Sequence, residues 1–257
     1  MTTHNDKKLK NLLVKHKPGT VCLASWLEKQ GISRDLQQYY LKSGWLESVG
    51  RGAFKRLDDE LDWKGGLYAL QEQANLAVHV GGLTALSARG SAQYLRLGRE
   101  KIYLFSPLGV SLPVWFSKYD WGVDIKHVRT GFLPKGLDLG VALATGGSVG
   151  YNLSGSERAI LECLYLAPEE QDLVECYEIM EGLVNLRPKK VQELLESCTS
   201  VKVKRLFLYM ADKANHQWLQ FVDQSNINLG KGDRSIVKNG VYVSQHHITI
   251  SRELDSL

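Results

Sequence analysis

The sequence predicts an α+β protein, an N-terminal winged helix-turn-helix followed by a mixed α/β C-terminal domain. Three observations predict it. Three short apolar-periodic segments run directly into a glycine-punctuated hairpin within the first 57 residues. Those 57 residues hold eleven Lys and Arg against four acids, a net +7, whereas the remaining 200 hold 21 against 24, a net −3. Beyond them, helical and strand-like runs are interspersed to the C-terminus.

Taken in order, Leu9, Leu12 and Leu13 have helical spacing, and Lys17-Pro18-Gly19 stops that helix. Val21 to Leu23 leads into a second helix, Ala24 to Gln30, ended by Gly31, a residue suited to the left-handed helix stop. Ser33 caps a third helix by accepting from the free amides of its first turn, and Gly44 ends it. Leu36, Tyr39 and Tyr40 are its expected inward positions, leaving Arg34, Gln37, Gln38 and Lys42 toward solvent. Trp45–Val49 and Ala53–Leu57 read as strands joined by Gly50-Arg51-Gly52, whose glycines permit a tight turn.

The charge changes sign at Asp58-Asp59-Glu60-Leu61-Asp62, which sets a boundary there. Residues 1–62 are expected to bind DNA and residues 63–257 to form the second domain; a helix over Lys64–Leu76 can pack on either side. A short helix at Leu83–Ala88 and strands at Lys101–Phe105, Val110–Phe116 and Ile125–Arg129 suggest a small mixed sheet. The glycine-rich stretch 144–150 reads as a loop, followed by Ser154-Gly155-Ser156-Glu157 with capping-box spacing. Helices are expected over Glu157–Leu166, Gln171–Leu183 and Pro188–Cys198. Val201–Asp212 is compatible with a helix or a buried strand. Trp218–Val222, Val237–Val243 and His247–Ile250 read as strands, with Asn239-Gly240 as a hairpin turn.

At 257 residues and 44% hydrophobic the chain can bury a sizeable core. No run approaches the roughly 20 apolar residues of a membrane span, and the opening MTTHNDKKLK lacks a secretory leader, so a cytoplasmic protein with no membrane partner is expected. Cys22, Cys163, Cys176 and Cys198 have no zinc-type spacing and read as reduced packing residues. No HExxH motif is present, the glycine-rich 144–150 loop lacks the Lys-Ser/Thr of a phosphate loop, and Leu229-Gly230-Lys231-Gly232-Asp233 lacks the strand and helix context of a nucleotide loop. His246-His247, read in a strand, would point to opposite faces. The acids Glu157, Glu162, Glu169, Glu170, Asp172, Glu175, Glu178 and Glu181 read as solvated helix faces. No catalytic residue, metal or cofactor is expected.

The head carries the recognisable chemistry. Gln can bond adenine and Arg guanine in the major groove, so Arg34, Gln37 and Gln38 are base-reading candidates. Ser33 suits a phosphate oxygen at the helix start. Lys42, Arg51, Lys55 and Arg56 would add salt-sensitive phosphate contacts. One head has a small footprint, so two copies on an inverted repeat are expected, as a dimer or by cooperative loading.

The segments "KSGWLESVGRGAFKR", "LYALQEQ", "VHVGGLTALSARG" and "LPVWF", followed by "SGSERAILECL", "LRPKKVQELLESCTSVKVKRLFLYMAD" and "LGKGDRSIVKNG", resemble in order the AbiEi family of antitoxins of bacterial type IV toxin-antitoxin systems. The resemblance spans nearly the whole chain, although the ending "HHITISREL" departs from the family's usual close. It implies a regulator that represses its own operon through the winged helix, and a C-terminal domain that counters a nucleotidyltransferase toxin without a stable complex. Carried onto this sequence, it implies a DNA-binding surface of Arg34, Gln37, Gln38, Lys42, Arg51, Lys55 and Arg56. In the body, Lys202, Lys204 and Arg205 are nominated as a basic strip for antitoxin function; Lys202 and Lys204 share a face only if the segment is a strand. Two other classes compete: a solitary winged-helix transcription factor with a ligand-sensing or dimerisation domain, and, last, an enzyme.

Overall fold

A computed structural model of the chain describes residues 2–91, 98–134, 140–144 and 149–257. α1 (Thr2–Lys15) stops ahead of Pro18, and β1 (Cys22–Leu23) leads into α2 (Ala24–Lys29). Gly31, at φ +83°, turns the chain into α3 (Arg34–Lys42), and Gly44, at φ +75°, releases it. The Ser33 hydroxyl accepts from the Leu36 amide at 3.4 Å, as the cap spacing predicts. β2 (Leu46–Gly50) and β3 (Ala53–Arg56) form the hairpin, and β1 joins it in an antiparallel sheet of order β1-β3-β2. Leu12, Leu27, Ile32, Leu36, Tyr40, Leu46 and Phe54 close a small core beneath; the side chain of Leu9 lies outside the described residues.

The helix expected over 64–76 is divided. α4 (Trp63–Tyr68), capped by Asp62, passes into a π-helical turn, Ala69–Gln73. The wider turn aims two glutamine amides at two different sheets. Gln73 donates to Val21 O at 2.7 Å and accepts from Leu23 N at 2.8 Å, so one side chain satisfies both edge groups of the head sheet. Gln71 donates to Val78 O at 2.8 Å and accepts from Asn152 N at 2.9 Å in the body. Val21, Leu23 and Ala53 of the head share the main core with Trp63, Leu67 and Leu70.

The body holds β4 (His79–Val80), α5 (Gly82–Ala88), β5 (Lys101–Pro107), α6 (Val114–Lys118), β6 (Asp124–Thr130), β7 (Val141–Ala144) and β8 (Tyr151–Ser154). Its sheet runs β6-β5-β4-β8-β7, with β5/β6 and β4/β8 parallel and the other pairs antiparallel. The strand expected at Val110–Phe116 is instead a loop and α6: Pro113 supplies the N-cap, and one helical turn buries Trp115 and Phe116 together. The wing rests on this helix, since a Cβ at Gly50 would lie 2.8 Å from Trp115 Cβ.

α7 (Ser156–Leu166) is buried along nearly its whole length, packed by α5, α8 (Leu173–Gly182), α9 (Pro188–Ser197) and α10 (Val201–Lys213). The 201–212 segment is therefore a helix. The expected capping box does not form: Gly155 is the N-cap, while Ser154 and Glu157 spend their side chains on Glu162 and Arg187. Trp218–Val222 is a 3-10 turn over Gln217–Phe221 rather than a strand, which lets the Trp218 indole donate to Leu183 O at 3.0 Å.

At the C-terminal end, β9 (Arg234–Ser235), β10 (Val241–Val243) and β11 (Ile248–Ile250) make a sheet of order β10-β11-β9, followed by α11 (Arg252–Ser256). Asn239-Gly240 thus turns between two strands that are not neighbours; the β10–β11 hairpin turns at Ser244–His247. His246 and His247 lie in that turn, His246 beside Asp212 and His247 beside Asp233, and not in a strand. Most of the glycine-rich 144–150 stretch lies outside the described residues. No described helix is long and apolar enough to cross a membrane.

Candidate nucleic-acid interface

α2 and α3 meet across the Gly31 turn as a helix-turn-helix, and α3 presents Ser33, Arg34, Gln38, Tyr39 and Lys42 outward. Gln37 is not among them. It is 1% exposed, and its amide nitrogen donates to Ala24 O at 3.1 Å and Ile32 O at 3.0 Å, tying α3 to the turn that precedes it. Tyr39, expected inward, is 55% exposed. With about 100° per residue, positions 37 and 39 lie on opposite shoulders of the Leu36–Tyr40 stripe, each roughly 80° from its centre. The Ala24 carbonyl at the start of α2 and the Ile32 carbonyl in the turn before α3 both lie on the Gln37 shoulder, where its amide donates to them. Ser33 Oγ, already accepting from Leu36 N, still has its O–H to donate to a phosphate oxygen.

The cations divide by what already holds them. Arg34 forks onto Glu28 of α2, Nε to Oε1 at 2.7 Å and Nη2 to Oε2 at 3.0 Å, while its side chain stays 61% exposed. Lys55 faces Glu47 directly across the hairpin, at 3.0 Å, and also donates to Asp59 O at 3.1 Å. The hydrogen bond to Glu47 raises the Lys55 pKa, and the ammonium is engaged within the wing rather than offered from it. Arg56 is half-buried opposite Leu46, whereas Arg51 stands exposed at the tip and Lys42 at the end of α3. Trp45, just past α3, adds a second exposed ring.

The basic strip expected in the body is not a surface. On α10, Lys204 and Arg205 are each 3% exposed, and a helix places Lys202 and Lys204 about 200° apart. The Lys202 ammonium donates to Tyr165 O and Ala167 O, and burial pushes its pKa down. Arg205 donates to Leu229 O, Gly230 O, Gly232 O and His247 O, organising the loop before β9. Lys202 and Arg205 are cations turned to backbone carbonyls.

Two of the acids read as solvated are buried. Glu162 has no exposure and accepts from His79 Nε2 at 2.8 Å, Gly82 N at 2.9 Å, Ser154 Oγ at 2.8 Å and Arg158 Nε at 2.9 Å. Burial pushes its carboxyl up, but His79 and Arg158 outweigh that and hold it below the usual carboxylate range. The same balance holds for Glu157, which burial raises and the Arg187 fork lowers further. This network joins β4, α5, β8 and α7 and needs no substrate to explain it. Spacing along the chain had no means of finding it, because His79 and Glu162 are 83 residues apart. No group of three metal-ligating side chains occurs among the described residues, and the four cysteines are buried and form no disulfide with one another.

Two family models cover this architecture. The model described as "Transcriptional regulator, AbiEi antitoxin N-terminal domain" matches residues 5–97, and "Transcriptional regulator, AbiEi antitoxin, Type IV TA system" matches residues 99–251. No curated protein matches the chain. Among solved structures, the crystal structure of the RV2827C protein from Mycobacterium tuberculosis is similar, with 14% identity and a TM-score of 0.59 over 96% of this chain and 90% of that one. At that identity the likeness is one of fold alone.

Proposed function

The chain belongs to the AbiEi antitoxin family, transcriptional regulators of type IV toxin-antitoxin systems, and from that premise we propose that it represses its own operon by laying α3 in the major groove of an inverted repeat. The observation that carries this reading is the row Ser33, Arg34, Gln38, Tyr39 and Lys42 on a capped helix, followed by a hairpin with the exposed Arg51 at its tip. Gln38 reads adenine, Arg34 reads guanine once it exchanges Glu28 for the base, and the Tyr39 ring meets a thymine methyl. Lys42, Arg51 and Arg56 bind phosphates, and Ser33 with the α3 amides a further one. The family is one of regulators rather than enzymes.

We assign DNA binding to residues 1–62, docked on the body through Gln73, and antitoxin function to residues 63–257. The toxin countered is a nucleotidyltransferase, opposed without a stable complex. The protein works in the cytoplasm, on the nucleoid when its operator is bound, with two copies on the repeat.

The test is fluorescence anisotropy of the full-length protein on its own upstream DNA and on a scrambled duplex across a salt series. With three phosphate-binding cations per head, two heads should give a log-log salt slope of about −5, at roughly −0.9 per contact. Equal, weak binding to both duplexes would reduce the head to a basic surface. Growth rescue on co-expression with a nucleotidyltransferase toxin, together with failure of the two proteins to co-purify, tests the antitoxin half.

A further inference from the structure

A cleft of about 320 Å³ lies between α6 and the edge strand β6, lined by Leu112, Phe116, Tyr119, Trp121, Ile125, His127 and Arg129 among others. Its floor is preorganised. The Trp121 indole donates to Phe116 O at 2.7 Å and packs on Phe116 and Tyr119 with ring centroids 5.1 and 4.5 Å away, so the aromatic wall is tied to α6 as one unit. Ile125, His127 and Arg129 alternate along β6 and therefore share the face toward the cleft. His127 Nε2 is held by Ser106 Oγ at 2.7 Å, which fixes the ring's orientation. None of the described lining residues carries a carboxylate, while the exposed Arg129 guanidinium stands at the rim. Aromatic rings on one wall, facing His127 and Arg129 on the other, suit a flat aromatic body bearing a single anionic group.

The position of the cleft gives such a ligand a consequence. α6 is the helix on which the wing rests: its Trp115 backs Gly50 of β2, and Phe116, the next residue, is the cleft floor. Trp121 fills the space beside Gly66 of α4, about two turns before Gln73 grips the head sheet. A body that wedges between α6 and β6 pushes on the wing's support.

We infer that this cleft binds a small aromatic carboxylate and that occupancy shifts α6, loosens the wing and weakens operator binding; the second clause rests on the DNA-binding reading above. The probe is indole-3-acetate, with indole-3-acetamide as its neutral counterpart, titrated into the full-length protein by calorimetry and ligand-observed NMR. The acid should bind, the amide should bind about tenfold more weakly or worse, and Arg129→Gln should abolish that preference while leaving the melting temperature unchanged. Ser117→Trp, placing an indole across the mouth from an exposed position, should remove binding of both. Saturating acid should weaken operator affinity severalfold in the wild type and not in Arg129→Gln. No binding at millimolar acid, equal binding of acid and amide, or binding indifferent to both substitutions would overturn the site. Binding with unchanged operator affinity would overturn the coupling. A protein that bound no operator would fail the repressor reading, and the titrations with acid and amide would still decide the cleft.

Discussion

Replacing Gln37 by alanine should damage the fold of the head and not its choice of bases. The Gln37 amide donates two hydrogen bonds, to Ala24 O and Ile32 O, within a core where Ala24 and Ile32 are themselves buried. Each bond contributes about 0.5–1.5 kcal/mol, so their loss costs about 1–3 kcal/mol, with the space left by the missing side chain adding to it. For a chain of this size that lowers Tm by roughly 2–12 °C. Gln38→Ala, one position along and exposed, should leave Tm within experimental scatter and cost about 1–3 kcal/mol of discrimination at a single A·T pair of each half-site. Scanning calorimetry, paired with anisotropy on the operator and on duplexes carrying one A·T to G·C exchange at a time, separates the two. If Gln37→Ala kept its Tm and lost base discrimination, while Gln38→Ala lost none, the assignment of the α3 shoulders would be wrong.

Glu162→Ala removes the buried carboxylate on which His79, Gly82, Ser154 and Arg158 converge and should destabilise the protein by about 3–5 kcal/mol in urea unfolding. Because the Glu162 carboxyl is held below its unfolded value, the stability it contributes is present above the ordinary glutamate range and is lost as pH falls through the depressed value; Glu162→Gln should flatten that acid limb in a pH series. Arg205→Lys keeps the charge but cannot span carbonyls of Leu229, Gly230, Gly232 and His247 with a single ammonium. Toxin rescue and thermal stability should therefore fall together, and rescue lost at full stability would mark Arg205 as a contact residue instead. Gly50→Ala sets a methyl 2.8 Å from Trp115 Cβ and 3.1 Å from its Cα, so the wing must move off α6. A cost of about 1–3 kcal/mol and weakened operator binding with α3 untouched are expected from calorimetry and anisotropy.

What could be read in the chain was encoded locally. Gly31, Ser33, Gly44 and Gly52 each act through their own backbone preferences, and together they order the helices and hairpin of the head without reference to anything distant. The Leu36–Tyr40 spacing established that α3 is amphipathic. It left the shoulders undecided, and hydropathy favoured Tyr39 over Gln37 at a site where the Gln37 amide finds two buried carbonyl acceptors.

The same distinction runs through the body. A row of lysines and arginines in sequence is a charge count; whether Lys202 and Arg205 meet solvent or carbonyls depends on loops 24 to 42 residues away. Glu162 looked like one acid among eight until folding brought His79 onto it beside Arg158, its i,i+4 neighbour on α7. Local signals determined the winged helix, its basic character and the order of most helices, because capping, turns and periodicity act over a few residues. Tertiary structure alone decided which polar groups are surface and which are braces, because a buried carbonyl or carboxylate takes its partner from whatever chain segment the fold brings within 3 Å.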